Sequence, residues 1–390
     1  MVGPLQTRRS QTSDMQTPIP CLFMRGGTSR GPFFNERDLP ADIATRDRVL
    51  LAAMGSPDRR EIDGLGGAHP LTSKVGIVSR GTQPGVDLDF LFAQVVVDKP
   101  LVDTTPNCGN MLAAVVPFAL ETGLVAAQGE TSTFRVLTRN TGMRCDITVP
   151  TPGGRVTYAG DARIDGVPGT SAPITINFLD TAGSVCAGLL PTGRVRDTVA
   201  LPAFGLTLDV TCIDNGMPLV MLRAADVART GYESVAALNA DAELKARLEA
   251  LRLACGELMG LGDVSARTFP KMCLVAPPRD GGSLATRSFI PHVCHDAIGV
   301  LAAVTVATAC VLPGSVADGI AVMPPGNPRT VSVEHPSGEF SVELETDPAN
   351  PQTVTRAALL RTARLIMRGE VMVPSAIWQE PRRHETRTAA

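Results

Sequence analysis

Two stretches of the chain are apolar on every side, Met111 to Leu120 and Ala297 to Ala309. A helix of that kind is buried all round, so the pattern predicts core helices at about 108–121 and 295–310. A polar loop with a cysteine precedes each: Asn107-Cys108-Gly109-Asn110 in one place, Cys294-His295-Asp296 in the other. Elsewhere, alternation or β-branched runs mark strands at Phe90 to Val97, Phe134 to Leu137, Ile174 to Phe178 and Val331 to Val333. Helical spacing marks surface helices at 44–54, stopped by Gly55, and at 241–259, where Leu244, Leu248 and Leu251 share a face. The run from Val354 to Met367 reads as a third, stopping at Gly369. This mixture predicts an α+β fold, with a sheet wrapped around a central helix in each half.

The halves repeat one another. A strand ending in a polar turn, Cys21 to Gly27, matches Thr211 to Met217. Gly64 to Gly67 followed by Ser73 to Val78 matches Gly260 to Asp263 followed by Pro270 to Val275. The cysteine with its apolar helix is the third match. A hairpin is the fourth: Arg139 to Gly142 before Met143 to Val149, against Glu334 to Gly338 before Glu339 to Leu344. Four matches in one order make a pseudo-repeat, and its register pairs Lys74 with Lys271 and Cys108 with Cys294. The expected organisation is a disordered tail over 1–18, an N-terminal domain over 19–190 and a C-terminal domain over 191–372. Residues 373–390 would be a return strand to the first domain and a polar tail.

Composition narrows the function. At 390 residues the chain is long for one core, and two domains are the natural prior. With 19% charged residues, a net charge of −3 and no basic stripe, nucleic acid and anionic membranes are poor partners. The longest uncharged run, Ala297 to Leu312, is shorter than the ~20 residues a bilayer requires. Nine scattered cysteines with no Cys-x-x-Cys pair read as reduced thiols in a cytoplasm. His292, Cys294 and His295 lack a fourth ligand elsewhere, so no metal is expected.

The polar loops carry the candidate chemistry. Exposed N–H groups at a helix start favour negative charge, so Cys108 and Cys294 would lose protons more easily there, and a carboxylate could sit at the same place. The loop from Met24 to Gly31 is glycine-rich but lacks the Gly-Lys-Ser/Thr ending of a phosphate loop. Its glycines would let backbone approach a ligand, while Arg25, Thr28 and Ser29 donate to a carboxylate. Lys74 closes a second polar loop, from Asp63, and is followed at once by apolar Val75 to Val78. At a strand end inside a cleft, partial desolvation would bring its amine toward a usable base. Arg287, on the strand leading to Cys294, is a candidate anion binder.

Arg25-Gly26-Gly27-Thr28-Ser29, Asp63-Gly64 with His69 to Lys74, Asn107-Cys108-Gly109-Asn110 and Ile213 to Pro218 together resemble the PrpF family of cofactor-independent isomerases. The resemblance runs from about Ile19 to Trp378. It implies two pseudo-symmetric diaminopimelate-epimerase-like domains, each a curled sheet around a buried helix, with the site in the cleft between them. Leu71 to Lys74, Asp214 to Pro218, Gly262 to Ser265 and Arg287 to His292 look closest to the 4-oxalomesaconate tautomerases of gallate and protocatechuate degradation. The expected substrate is therefore a small unsaturated keto tricarboxylate. The nearest alternative is 2-methylaconitate cis–trans isomerisation in propionate catabolism. A carboxylate-binding protein that has lost its chemistry is a third reading, opposed by the presence of both Lys74 and Cys108.

Carried over residue by residue, the resemblance makes Lys74 and Cys108 the proton-transfer pair. Substrate binding falls to Arg25, Gly26, Thr28, Ser29, Ser73, the backbone at Gly109, Asn110 and Met111, and in the second half Asn215, Met217, Lys271, Arg287 and Cys294. No pyridoxal phosphate, flavin, nicotinamide or other cofactor is called for, and a homodimer is the expected assembly. Epimerases and proline racemases follow their second cysteine with small residues. Here His295-Asp296 follow Cys294, which puts a symmetric two-cysteine mechanism in doubt and fits one-sided chemistry.

Overall fold

A computed structural model describes residues 15–179, 181–350 and 353–379. In chain order the elements begin with β1 (Gln16–Gly26), β2 (Ser29–Asn35), α1 (Ile43–Met54), β3 (Lys74–Arg80), β4 (Leu88–Val95) and β5 (Val102–Asp103). Next come α2 (Gly109–Leu112), α3 (Val115–Glu121), β6 (Thr131–Thr138), β7 (Met143–Pro150) and β8 (Ile174–Phe178). They are followed by β9 (Asp197–Leu201), β10 (Leu206–Asp214), β11 (Pro218–Arg223), α4 (Val235–Ala240), α5 (Ala242–Leu258), β12 (Lys271–Ala276) and β13 (Leu284–Phe289). The chain closes with α6 (Val300–Cys310), β14 (Arg329–His335), β15 (Gly338–Thr346), β16 (Val354–Arg361) and β17 (Ala363–Pro374).

Two compact units result. One comprises residues up to 143, 149–158 and from 362 onward; the other comprises 144–148 and 159–361. Residues 159–190, read from the sequence as part of the first half, thus belong with the second unit. In the first unit β1 is antiparallel to β2, β2 parallel to β3, β3 antiparallel to β4 and β4 parallel to β6. In the second, β10–β11, β11–β12, β12–β13 and β13–β14 follow the same sequence of antiparallel and parallel pairings. A duplicated α+β architecture is therefore what the chain forms, and Lys74 and Lys271 each open the third strand of their set.

The central helices differ from expectation at their starts. The first is broken into α2 and α3 at Ala113-Ala114. Pro117 has no N–H for the carbonyl of Ala113 and its ring crowds that turn, which interrupts the helix. Cys108 is the residue immediately before α2. In the second unit α6 starts only at Val300, capped by Gly299, so Cys294 does not open it. Instead Cys294 bridges to Phe289, and its N–H donates to Asn239 Oδ1 at 2.7 Å. α6 is buried from Ala302 to Cys310, packed by β10, β11, β14, β15 and β16.

Two further expectations are corrected. The helix read over Val354 to Met367 is instead β16 and β17. β16 pairs with β15 on one edge and β8 on the other, so Leu359 lies opposite both Val342 and Ile176. Ala357, Ala358 and Leu359 are buried in succession; a strand covered on both faces loses the alternation that would have marked it. The tail expected over 1–18 stops short of Gln16, because Gln16 pairs with Pro374 at the start of β1. Residues 1–14 and 380–390 lie outside the described residues. The strand that returns to the first unit is β17, which opens at Ala363 rather than at 373 and runs antiparallel to β1 along its length.

Elsewhere the periodicities hold. Asp42 caps α1 through Thr45 N and Gly55 ends it in the left-handed conformation. Leu244, Leu248 and Leu251 are buried along α5. All nine cysteines are free thiols, and no helix among the described residues is long and apolar enough to cross a membrane.

Candidate active site

The first unit gathers the loops that the sequence singled out. α2 packs against β1, β2 and β3, which brings the helix opened by Cys108 onto the strand opened by Lys74. Only glycine permits this approach. A Cβ on Gly26 would lie 2.4 Å from the Asn110 carbonyl, and one on Gly27 2.2 Å from Asn110 Oδ1. Asn110 Nδ2 then donates to Thr28 Oγ1 at 2.9 Å. Gly26, Thr28 and Asn110 are thus brought together as expected.

Lys74 is 8% exposed. Its Nζ donates to Gln94 Oε1 at 2.6 Å and stands 4.8 Å from the centre of the Phe92 ring. Gly31 backs it closely: a Cβ there would lie 1.7 Å from the Lys74 carbonyl oxygen. Gly31→Ala is therefore expected to push β2 off β3, costing about 1–3 kcal/mol as overpacking does and lowering activity with it. Thermal unfolding beside turnover checks this; an unchanged melting temperature would show that the backbone yields without cost.

Cys108 is half-buried and precedes an open helix turn. Its N–H donates to Asn107 Oδ1 at 2.8 Å. The first backbone bond onto it comes from Leu112 N, to its carbonyl at 3.0 Å. The N–H groups of Gly109, Asn110 and Met111 precede that bond, at the end of a helix where N–H groups have no intrahelical acceptor. Met111 itself is fully buried, so only its backbone can take part.

Several expected anchors are occupied by the protein. Arg25 Nη1 donates to the carbonyls of Gly27 and Thr362 and to Thr362 Oγ1, at 2.9–3.1 Å, which fixes the loop. Ser73 is fully buried and its hydroxyl donates to Glu61 Oε2 at 2.5 Å. It ties the loop to Glu61. Ser29, 1% exposed, keeps its hydroxyl without a partner at the mouth of β2. Glu61, also buried, accepts from Ala68 N as well. Neither Glu61 nor Gln94 was singled out from the sequence. The available signal for Gln94 was one polar side chain inside the apolar run Phe90 to Val97.

In the second unit, Asn215 is 5% exposed with its amide shared between Thr181 and Thr308, so it braces α6. The Met217 carbonyl accepts from Thr305. Arg287 donates to the carbonyls of Glu233 and Thr286, and burial lowers its pKa. Lys271 has its pKa lowered by burial. Burial pushes the Cys294 thiol up to about 11, although Arg287 pulls the other way. Cys294 is therefore a protonated, enclosed thiol, while Cys108 stands half-exposed.

Fold and sequence place the chain among the isomerases. A solved structure, that of methylitaconate-delta-isomerase, matches with a TM-score of 0.82 at 36% identity, over 94% of this chain and 99% of that one. The chain belongs to the PrpF family, whose match, described as PrpF protein, spans residues 16–374. It is 59% identical over 366 residues to the (4E)-oxalomesaconate Delta-isomerase of Novosphingobium sp. (strain KA1), covering 94% of this chain and 99% of the relative. It is 54% identical, with the same coverage, to the 4-oxalomesaconate tautomerase of Pseudomonas putida (strain KT2440).

Proposed function

We propose that this protein isomerises 4-oxalomesaconate in the breakdown of gallate- or protocatechuate-type aromatics, with Lys74 and Cys108 moving one proton. The observation that carries the reading is the near full-length identity to relatives bearing that name. The chemistry suits the residues. A carbon between a C=C and a carbonyl is acidic because its carbanion delocalises as a dienolate. Lys74 as free amine accepts that proton, and the Cys108 thiol delivers one to the far end of the allylic system or to oxygen. Each such group contributes roughly 10²–10⁴ in rate. The α2 N–H groups, Thr28 and the unpartnered Ser29 hydroxyl support a carboxylate-binding role for this loop and the charge it must hold. Nine free thiols support a reducing, cytoplasmic setting.

Proton NMR in D₂O tests the reading. The purified protein, incubated separately with 4-oxalomesaconate and 2-methylaconitate, is expected to incorporate deuterium and give a new vinyl signal with the oxo acid alone. Turnover of 2-methylaconitate instead would transfer the same site to the methyl substrate. Silence on both would set the substrate assignment aside.

A further inference from the structure

A residue directly across the sheet governs how Lys74 presents its amine. Lys74, Gln94 and Asp103 stand opposite one another on three adjacent strands, β3, β4 and β5. Gln94 is the one residue of β4 besides its buried neighbours that is partly exposed. Its amide has two different jobs. Nε2 donates to the carbonyls of Ser73 at 2.9 Å and Pro70 at 3.1 Å, with Val95 O at 3.4 Å. Three carbonyl oxygens on that side require the NH₂ group there, which leaves Oε1 facing Lys74 Nζ at 2.6 Å. A side chain that donates to carbonyls on one side and accepts from an amine on the other must be an amide.

The charged and titratable groups on the elements around Lys74 are distinct from this contact. Arg30 lies on β2, Glu61 and His69 in the loop before β3, Cys108 just before α2, and Glu36 in the turn after β2, where it meets Ser79 at the far end of β3. Asp103 is the next residue in the row, and its carboxylate is held ionised by Thr105. No carboxylate among the described residues comes within ion-pair distance of the Lys74 amine. Gln94 stands between that amine and Asp103.

We propose that Gln94 is the positioning residue for Lys74, a neutral acceptor that aims the amine and separates it from Asp103. It rests on Lys74 being the base. A neutral partner fixes the direction of Nζ without adding the anion that would hold its proton, since an opposite charge within about 4–6 Å raises such a pKa by roughly 1–3 units. The same amide ties the amine to the loop from Pro70 to Ser73, so the loop and the base move together.

Two variants and one direct readout test this. Lysine labelled with ¹³C at Cε is titrated by NMR in the full chain without substrate, with Lys74→Met identifying the Lys74 signal. Gln94→Glu is expected to raise the Lys74 pKa by about one unit or more and to move the rising limb of the pH–kcat profile upward equally. Gln94→Met, close in length, is expected to lower the Lys74 pKa, and to reduce kcat by about 10²-fold through misplacement with KM little changed. If Lys74 titrates identically in all three proteins, Gln94 only braces the strand and the proposal fails, even where both variants lose activity. If Gln94→Glu does not fold, the Gln94→Met shift alone decides. Should the wild type act on neither acid while the Lys74 titration responds as stated, the positioning holds and the substrate reading falls.

Discussion

Lys74→Met is expected to lower turnover of 4-oxalomesaconate by about 10³-fold or more and to abolish deuterium exchange into the substrate. Methionine keeps the aliphatic stem beside Phe92 but removes the amine. General-base contributions of roughly 10²–10⁴ set the scale. The change also leaves the partly exposed Gln94 Oε1 without its donor, a loss at or below the low end of the roughly 1–3 kcal/mol a fully buried acceptor forfeits, so melting temperature is measured alongside. Binding of an inert tricarboxylate is expected to survive. Exchange at the wild-type rate in a folded variant would remove Lys74 from the chemistry.

Cys108→Ser is expected to depress product formation by about 10²-fold or more, with a different signature. A hydroxyl is a far weaker acid than a thiol, so the return of the proton suffers while its removal continues. In D₂O, deuterium is expected to enter at the carbon from which Lys74 takes its proton while the product signal lags behind. Loss of both together would place Cys108 in binding, and an unchanged rate would take it out of the mechanism. Cys294→Ser serves as the contrast: its thiol is buried and raised to about 11, so a smaller loss is expected.

What the sequence made legible was local. The Gly26-Gly27 turn, the loop ending at Lys74 and the cysteine before an apolar run are signals contained within a few residues. Strand pairing repeats because the repeat itself is written in the chain. Burial is another matter. Ser73 and Asn215 look like available donors until Glu61, Thr181 and Thr308 claim them, and those partners lie up to 93 residues away. Gln94 was passed over for the same reason: its meaning depends on Lys74, twenty positions earlier in the chain. The segment from Val354 failed differently. Its helical spacing is real, but β15 and β8 on its two edges supply hydrogen bonds and packing that local preference cannot match.

The antiparallel pairing of β17 with β1 has a consequence for biosynthesis. Lys74 and Cys108 leave the ribosome early, yet β1 has only β2 as a partner until residues 363–374 are made. Residues 159–361 of the other unit are complete in one continuous stretch before that. The later-encoded unit can therefore close first, while the unit bearing the lysine and the thiol waits with a bare strand edge. Such an edge invites pairing with the wrong chain. Slow or paused translation near the 3′ end of the message would lengthen that exposure, and yield of active protein should depend on chaperone supply more than the stability of the finished fold would suggest.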